Sequence, residues 1–282
     1  WAGADLIFDL DADQIVRGPY ALMLARVREE TVKLVRMLID ELGFSKNHIR
    51  VAFSGGRGYH IHVTDIAVRG WGGPERREIV DYVCGIGIDP EVMLAPRAPS
   101  TAWRRRYTGV LRDHLTWLAG LEAEEAGMYI GELGGIGKKA GQEFFGNLER
   151  IRRGSPSSLL QNRVARAIMD SPGFASRVRD AGARADEPVT TDIKRLIRTP
   201  GSLHGGSGMR VVPLDIRDLA DFDPLIDAVV FGEREVRVDM KMNFTTSLLG
   251  STYTLKAGLA NVPEALAVFL CCRNIAEIAG GV

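Results

Sequence analysis

Residues 5–13 read Asp-Leu-Ile-Phe-Asp-Leu-Asp-Ala-Asp, an apolar run that carries acidic side chains at alternate positions. Successive side chains of a β-strand point to opposite faces, so the leucines and the phenylalanine share one face and Asp9 and Asp11 share the other. Their carboxylates, on Cα atoms about 6–7 Å apart, can converge on Mg²⁺ or Mn²⁺, which prefer oxygen ligands. The alternative is an exposed edge strand with solvated acids, but the flanking apolar residues favour a buried strand.

The composition is that of an ordinary globular chain without an obvious polyanion-binding field. The chain has 282 residues and a formal net charge of +0, which allows one large or two small domains. The three cysteines predict neither a disulfide framework nor a zinc cluster, and we expect a cytoplasmic protein. No stretch reaches the roughly 18 apolar residues of a membrane span. The chain begins at Trp1 rather than Met, which suggests a fragment.

Positive charge is concentrated in a few clusters. Arginines are dense at 97–112 and at 150–153, and Lys194, Arg195 and Arg198 follow later. Such runs usually form solvated faces, but several in one chain can line a groove for a polyanion. The first two clusters are therefore candidates for contact with a nucleic-acid backbone.

The periodicity predicts an α+β fold (mixed α/β) with a mainly antiparallel sheet and helices segregated from it. Strands are predicted at 5–11, 48–53, 59–64, 209–214 and 234–244, and helices at 20–42, 74–83, 113–126, 157–170 and 263–279. The corresponding domains are a core in two parts, 1–69 and 186–282, separated by a mostly helical insertion at 70–185.

A glycine-rich turn, Ser54-Gly55-Gly56-Arg57-Gly58, joins two of these strands. Glycines let backbone N–H groups approach an anion, while Ser54 adds a hydroxyl and Arg57 a forked cation. The turn is not a P-loop, because Lys-Ser/Thr is missing and a strand follows it. A structural hairpin turn is the alternative, but His60 and His62 on one face of the outgoing strand favour an anion or metal site.

Residues 186–208 form a second basic segment, from Asp-Glu-Pro through Asp-Ile-Lys-Arg-Leu-Ile-Arg to a Gly-rich tail. A solvated helix end followed by a loop is one interpretation. The other is a second segment that contacts a triphosphate, with Asp186 or Asp192 joining the metal site.

Three strings together resemble the catalytic small subunit of archaeal and eukaryotic DNA primases: DLIFDLDAD, SGGRGYHIHV and DIKRLIRTPGSLHGGSG. They occur in the family's order, and the resemblance covers nearly the whole chain. It implies the primase catalytic core with its helical insertion subdomain. It also implies a nucleotidyltransferase that synthesises short RNA or DNA primers on a template from nucleoside triphosphates during DNA replication.

The resemblance also implies roles for individual residues. The catalytic and metal-binding residues would be Asp9, Asp11 and Asp186, holding two Mg²⁺ or Mn²⁺ ions. The nucleotide-binding residues would be Ser54, Gly55, Arg57, His60, Arg198 and His204. Gly56 departs from relatives that carry a second arginine at that position, and Asp13 does not match a family ligand.

The implied partners are a single-stranded DNA template, nucleoside triphosphates and a primase large subunit. Many relatives carry a Cys/His zinc site before the glycine-rich turn, but residues 14–53 hold no Cys and only His48, so we predict no zinc. The family also has a segment before the acidic strand, and we expect a chain without it to be impaired as an isolated enzyme.

Three rival hypotheses remain open at this point. The Phe-Asp-Leu-Asp string of residues 8–11 also resembles the opening motif of haloacid-dehalogenase-type phosphatases, which use one Mg²⁺ and a parallel sheet, although Ala12-Asp13 replaces the usual Gly-Thr. A primase-like polymerase of repair or of a mobile element is the second. The third is a degenerate subunit that only binds nucleic acid.

Overall fold

The computed structural model describes residues 3–97 and 99–280, so the start at Trp1 lies outside the described residues. Internal contacts divide the chain into two compact units. Unit 1 combines the residues up to Val80 with those from Arg184 onward, and unit 2 runs from Asp81 to Ala183. The sequence placed these boundaries at 70 and 185, and the assignment of the units as catalytic core and insertion stays a prediction.

A four-stranded antiparallel sheet forms the first layer of unit 1. Its strands are β1 (Leu6–Asp11), β2 (Ile49–Phe53), β3 (Gly58–Val63) and β4 (Val212–Leu214). The strand order is β1-β3-β2-β4, and every pairing is antiparallel. The predicted strand at 209–214 is therefore shorter than expected and lies at the sheet edge.

Alternation along β1 buries one face and leaves the acidic face partly open. Leu6, Phe8 and Leu10 are each 0% exposed, whereas the residues between them are partly accessible. Helix α1 (Tyr20–Asp40) packs against β1 and β3 through residues at helical spacing that include Leu24, Val27, Leu34 and Leu38. This burial fixes which face of β1 the acids occupy, because a one-residue shift in register would reverse it.

A buried arginine anchors the beginning of β1. The Arg76 side chain is 1% exposed and donates hydrogen bonds to the carbonyl oxygens of Asp5, Ala4 and Trp71 at 2.9, 2.7 and 3.0 Å. Arg76 lies on helix α2 (Gly73–Cys84). Three backbone acceptors satisfy the buried guanidinium, and they tie the strand that carries the acids to this helix.

The carboxyl-terminal part of unit 1 adds more β-structure than the sequence predicted. After α10 (Glu187–Thr191) and α11 (Pro224–Asp227) come β5 (Glu235–Met240), β6 (Phe244–Leu248), β7 (Ser251–Leu255), β8 (Gly258–Pro263), α12 (Glu264–Cys272) and β9 (Ala276–Ile278). Strands β8, β5 and β9 make one antiparallel sheet, and β6 and β7 make a hairpin.

Two predictions in this region were wrong. The continuous strand predicted at 234–244 is two strands, because the chain from Phe244 onward pairs with β7 and not with β8 or β9. The helix predicted through 279 ends at Cys272. Asn274 adopts a left-handed φ of 59°, and the chain then returns as β9 beside β5.

Unit 2 is helical throughout its regular structure in the described residues. Its helices are α3 (Pro90–Leu94), α4 (Ala102–Ala119), α5 (Ala123–Glu132), α6 (Lys138–Gly146), α7 (Leu148–Arg153), α8 (Arg163–Met169) and α9 (Pro172–Ala181). The helix predicted at 113–126 is interrupted, since Gly120 caps α4 with its N–H on the Thr116 and Trp117 carbonyls. The helix predicted at 157–170 is a 3₁₀ segment, Pro156–Gln161, followed by α8.

The predicted fold class, α+β with mainly antiparallel sheets, is confirmed. The phosphatase alternative requires a parallel sheet, whereas all strand pairs in the described ranges are antiparallel. No helix within residues 3–97 and 99–280 is both long and apolar enough to cross a membrane.

Candidate active site

The acidic face of β1 lies beside β3, and the strand register sets its neighbours. Asp9 is paired with His60, and Asp11 is paired with Gly58. The Asp11 carboxylate accepts the N–H of Asp13 at 3.0 Å and so caps the 3₁₀ turn that follows the strand. Asp13 itself lies in that turn, beyond the end of the strand, and does not share the strand face as the alternation suggested.

Asp9 occupies an environment that opposes its ionisation. Burial, followed by the nearby charges of Asp11 and Asp186, raises the pKa of its carboxyl to about 6. Arg198 and Arg195 act in the opposite direction but do not compensate. Negative charge therefore exceeds positive charge around Asp9, which is the condition that a bound cation relieves.

Asp186 reaches the site although it lies far from β1 in the chain. Its backbone N–H donates to the carbonyl oxygen of Asp9 at 2.8 Å, and α10 begins immediately after it. The sequence left open whether Asp186 or Asp192 joins the metal site. The charge of Asp186 raises the pKa of Asp9. Asp192 is not among the groups that shift the Asp9 pKa, and its carboxylate accepts the N–H of Lys194 at 2.9 Å.

His60 is a buried, neutral neighbour of Asp9. Its side chain is 2% exposed, with Nε2 at 3.6 Å from the Asp9 carboxylate and Nδ1 without a hydrogen-bond partner. Burial, His62 and Arg198 lower its pKa to about 4, so the ring is uncharged at neutral pH and this contact is not an ion pair. The imidazole ring therefore lies beside the Asp9 carboxylate and limits its position. Direct contact of His60 with a triphosphate stays a prediction.

The glycine-rich turn is organised by Ser54. Its hydroxyl oxygen accepts the N–H groups of Gly56 and Gly58 at 3.4 and 3.2 Å, and its own N–H donates to the Gly58 carbonyl oxygen. Gly55 has a φ of +77°, and a Cβ there would lie 2.7 Å from the Cβ of His204. Ser54 therefore shapes the turn, and the turn packs against the second basic segment.

Arg57 projects from the tip of this turn and is paired across it. Its guanidinium lies 2.6 Å from the Asp13 carboxylate, and both side chains are roughly half exposed. A pair this exposed contributes about 0–1 kcal/mol, so an incoming polyanion can displace Asp13 at small cost. Arg57 is thus available to a phosphate, as the sequence predicted, although not free.

His204 and Arg198 complete the set of predicted nucleotide contacts. The Nδ1 of His204 accepts the N–H of Gly206 at 3.1 Å, which leaves Nε2 to carry the proton and to face the glycine-rich turn at Gly56. Burial and the charges of Arg198, Arg57 and Arg273 lower the His204 pKa. Arg198 is exposed on a loop, and its charge also acts on Asp9 and His60.

The three carboxylates of this site are ligands of the type that hard divalent cations prefer. Asp9, Asp11 and Asp186 supply carboxylate oxygens and an excess of negative charge at one place. Across the described part of the chain, however, no three His, Cys, Asp or Glu side chains are already gathered closely enough to hold a metal ion.

The same site segments are matched by known proteins. A family model described as DNA primase small subunit matches residues 8–216, a range that includes all three carboxylates, the glycine-rich turn and the second basic segment. The chain belongs to the DNA primase small subunit family. Family membership agrees with the resemblance drawn from the sequence motifs, and the family's function, DNA primer synthesis in replication, is the function of this chain.

Similarity to individual family members extends over the whole chain. The DNA primase small subunit PriS of Methanosphaerula palustris is 54% identical over 288 residues, covering 100% of this chain and 76% of the relative. PriS of Methanocorpusculum labreanum is 54% identical over 287 residues, covering 100% and 75%. PriS of Methanosarcina mazei is 37% identical over 314 residues, covering 98% and 76%.

Three residues near this primase site were missed as site residues from the sequence. Arg195 affects the Asp9 pKa, and the Tyr20 hydroxyl donates to the Gly56 carbonyl oxygen of the glycine-rich turn. Arg273 affects His204. Arg195 lies in a basic segment that the sequence had singled out. The other two carry no sequence signal, because their position depends on how α1 and α12 pack.

Proposed function

We propose that this primase small subunit catalyses nucleotidyl transfer with two divalent cations held by Asp9, Asp11 and Asp186. The observation that carries the proposal is the position of Asp11 on the strand face of Asp9 and the bond from the Asp186 N–H to the Asp9 carbonyl oxygen; the charges of both acids help to raise the pKa of the Asp9 carboxyl to about 6. Two bound Mg²⁺ or Mn²⁺ ions would activate the attacking 3′-hydroxyl and neutralise charge on the α-phosphate and the leaving pyrophosphate.

The residues around the acids would position the nucleotide. Backbone N–H groups at the glycine-rich turn, with Arg57, Arg198 and the Nε2–H of His204, would bind the triphosphate. Phosphoryl transfer gains most from such positioning and charge stabilisation, because there is little covalent chemistry for side chains to perform. His60 would hold the Asp9 carboxylate in place while remaining neutral, since its pKa is about 4.

The substrates and partners follow from the family. We propose that the protein takes single-stranded DNA as template and nucleoside triphosphates as substrates, that it pairs with a primase large subunit, and that it works in the cytoplasm. The arginine clusters at 97–112 and 150–153 are candidate contacts for the template backbone. We propose that residues 14–53 do not bind zinc.

Template-directed primer synthesis tests the proposal. The protein, with its large subunit and in Mg²⁺ or Mn²⁺, should start and lengthen primers from nucleoside triphosphates alone on single-stranded DNA. Asp186→Asn should lower the rate by about 100-fold or more, because it removes a ligand of the reacting centre. Asp192 is an exposed acid six residues further along the same segment. Its replacement, Asp192→Asn, should change the rate less than about threefold, as expected of a surface site.

Three results would contradict the proposal. Equal loss of primer synthesis in both variants would mean that Asp186 has no special role. Release of phosphate from small phosphate esters without nucleotide incorporation would favour the phosphatase alternative. Extension of existing primers without initiation would assign the chain to a repair or mobile-element polymerase.

A further inference from the structure

A pocket opens beside the glycine-rich turn in unit 1. Its volume is about 400 Å³, which is enough for a few phosphate groups. Two arginines, two aromatic rings and a row of hydroxyls face it: Arg57, Arg273, Tyr20, Phe269, Thr245 and Ser247. None of the nucleotide-binding residues expected from the family motifs lies in the pocket except Arg57.

Arg273 is held rigidly at the edge of this pocket. Its guanidinium carbon lies 4.0 Å from the ring centroid of Tyr20 and 4.3 Å from that of Phe269. The side chain follows directly after α12, where the negative end of the helix dipole favours a cation. Rotamer entropy is thus already lost in the free protein, so less is lost when a ligand binds.

Arg273 hydrogen-bonds the Tyr20 side chain, but part of its hydrogen-bonding capacity is unused. Its Nε is buried without a partner, and no carboxylate within the described residues pairs with its guanidinium. A guanidinium stacked on aromatic rings directs its N–H groups outward in its own plane, where planar or tetrahedral oxyanions bind. A buried, unpaired donor next to a second arginine indicates a site for an anion.

The pocket is coupled to the triphosphate-binding turn. The Tyr20 hydroxyl donates to the carbonyl oxygen of Gly56, and Arg57 belongs both to the turn and to the pocket wall. Arg273 and Arg57 also both lower the pKa of His204, so their fields overlap at that residue. An anion that contacts Arg57 from the turn side therefore extends toward Arg273.

We propose that Arg273 is a phosphate-binding residue that, together with Arg57, holds the terminal phosphates of the nucleoside triphosphate. The assignment rests on the proposed function, because it takes the glycine-rich turn as the triphosphate site. The small volume of the pocket, about 400 Å³, and its continuity with the turn favour a short polyphosphate over the extended backbone of a template strand, which is the competing source of phosphate.

Calorimetric titration with ATP and with AMP in Mg²⁺ tests this assignment. Arg273→Met keeps an apolar stem between the two rings and should weaken ATP binding about tenfold, the loss typical of one charge-assisted contact. AMP binding should change less than about twofold, because AMP lacks the terminal phosphates. Arg237→Met, an exposed strand arginine of the same unit, is the matched control and should leave both affinities unchanged.

The outcomes separate this inference from the proposed function. Wild-type protein that binds ATP, and loses affinity in Arg57→Met but not in Arg273→Met, overturns only the Arg273 assignment. Wild-type protein that binds no ATP overturns both. If Arg273→Met weakens binding of an oligothymidylate while ATP binding is unchanged, the residue contacts the template and the assignment is wrong.

A second variant keeps the test decisive if Arg273→Met does not fold. Arg273→Lys retains the charge and the stem but not the planar fork, and a thermal melt shows whether each variant is folded. Should the Met variant fail to fold, a loss of ATP affinity of about threefold or more in the Lys variant supports the assignment. Wild-type ATP affinity in that variant overturns it.

Discussion

Ionisation of the Asp9 carboxyl lowers the stability of the folded protein. In the unfolded chain it would titrate near 3.8, whereas burial and the charges of Asp11 and Asp186 raise its pKa to about 6 in the folded state. Between these two pH values the unfolded state releases its proton first. Folding stability is therefore highest below pH 4 with respect to this group and falls as the pH rises through 6. A bound cation removes that penalty.

Asp9→Asn should consequently stabilise the metal-free protein. In EDTA at pH 8 we expect the variant to be more stable than wild type by up to about 3 kcal/mol, a difference that disappears below pH 4. Adding Mn²⁺ at pH 8 should raise the melting temperature of wild type but not of the variant. Chemical denaturation and thermal melts with and without the ion measure both effects.

Asp239→Asn provides the control for this pair of measurements. Asp239 is an exposed aspartate on β5, in a different sheet from the site acids. Its replacement should leave the response to Mn²⁺ intact and change stability by less than about 0.5 kcal/mol. Destabilisation of metal-free Asp9→Asn at pH 8 would show that Asp9 makes a structural contact instead.

The hairpin formed by β2, the glycine-rich turn and β3 is the element that brings this turn beside the acids. Its geometry depends on Gly58, because a Cβ there would lie 2.2 Å from the Leu10 carbonyl oxygen of β1. The clash involves a backbone atom of β1, which cannot move away from β3 without breaking the register of Asp11 with Gly58.

Gly58→Ala should lower the free energy of unfolding by roughly 2–4 kcal/mol and should also weaken nucleotide binding, because β1 and the turn would separate. Urea denaturation and ATP titration measure the two effects. Gly70→Ala is the matched substitution, since no atom lies within 4 Å of a Cβ at that position. Equal stability of the two variants would contradict the close approach of β1 to the turn.

Elements with strong local patterns were predicted correctly, and those set by distant contacts were not. The alternation in β1 and the helical spacing in α1 have one interpretation each, and both elements were found within two residues of their predicted ends. The break after Met240 depends on the change of partner from β8 and β9 to β7, which no local pattern reveals. Likewise, the motifs pointed to Asp186, but only the fold shows that its N–H bonds the Asp9 carbonyl.

Unit 2 contains a titrating group of its own. His114 on α4 is 2% exposed, its Nε2 lies 2.9 Å from the Tyr129 hydroxyl, and burial with the nearby Arg177 lowers its pKa to about 4. In the unfolded chain the ring gains a proton near pH 6.5, whereas in the folded protein it does so only near pH 4. Acidification between these values therefore favours unfolding.

Lowering the pH from 7 to 4 should destabilise wild type by on the order of 3 kcal/mol more than His114→Gln, which cannot titrate there. Tryptophan fluorescence can follow unfolding of this region, because the Trp117 ring lies 5.2 Å from the His114 ring. Comparing the two proteins at each pH cancels the contributions of the other titrating groups. Parallel pH profiles would show that His114 titrates normally in the folded state.

Taken over the whole chain, family membership is established by similarity along its full length, whereas the metal site rests on three carboxylates that are not yet gathered around an ion. Anomalous X-ray diffraction at the manganese edge, from crystals of the protein with Mn²⁺ and a non-hydrolysable nucleoside triphosphate, tests that site most directly. We expect two peaks about 3.5–4 Å apart, bound by Asp9, Asp11 and Asp186. Ordered Mn²⁺ that contacts the triphosphate but none of these carboxylates would contradict the account.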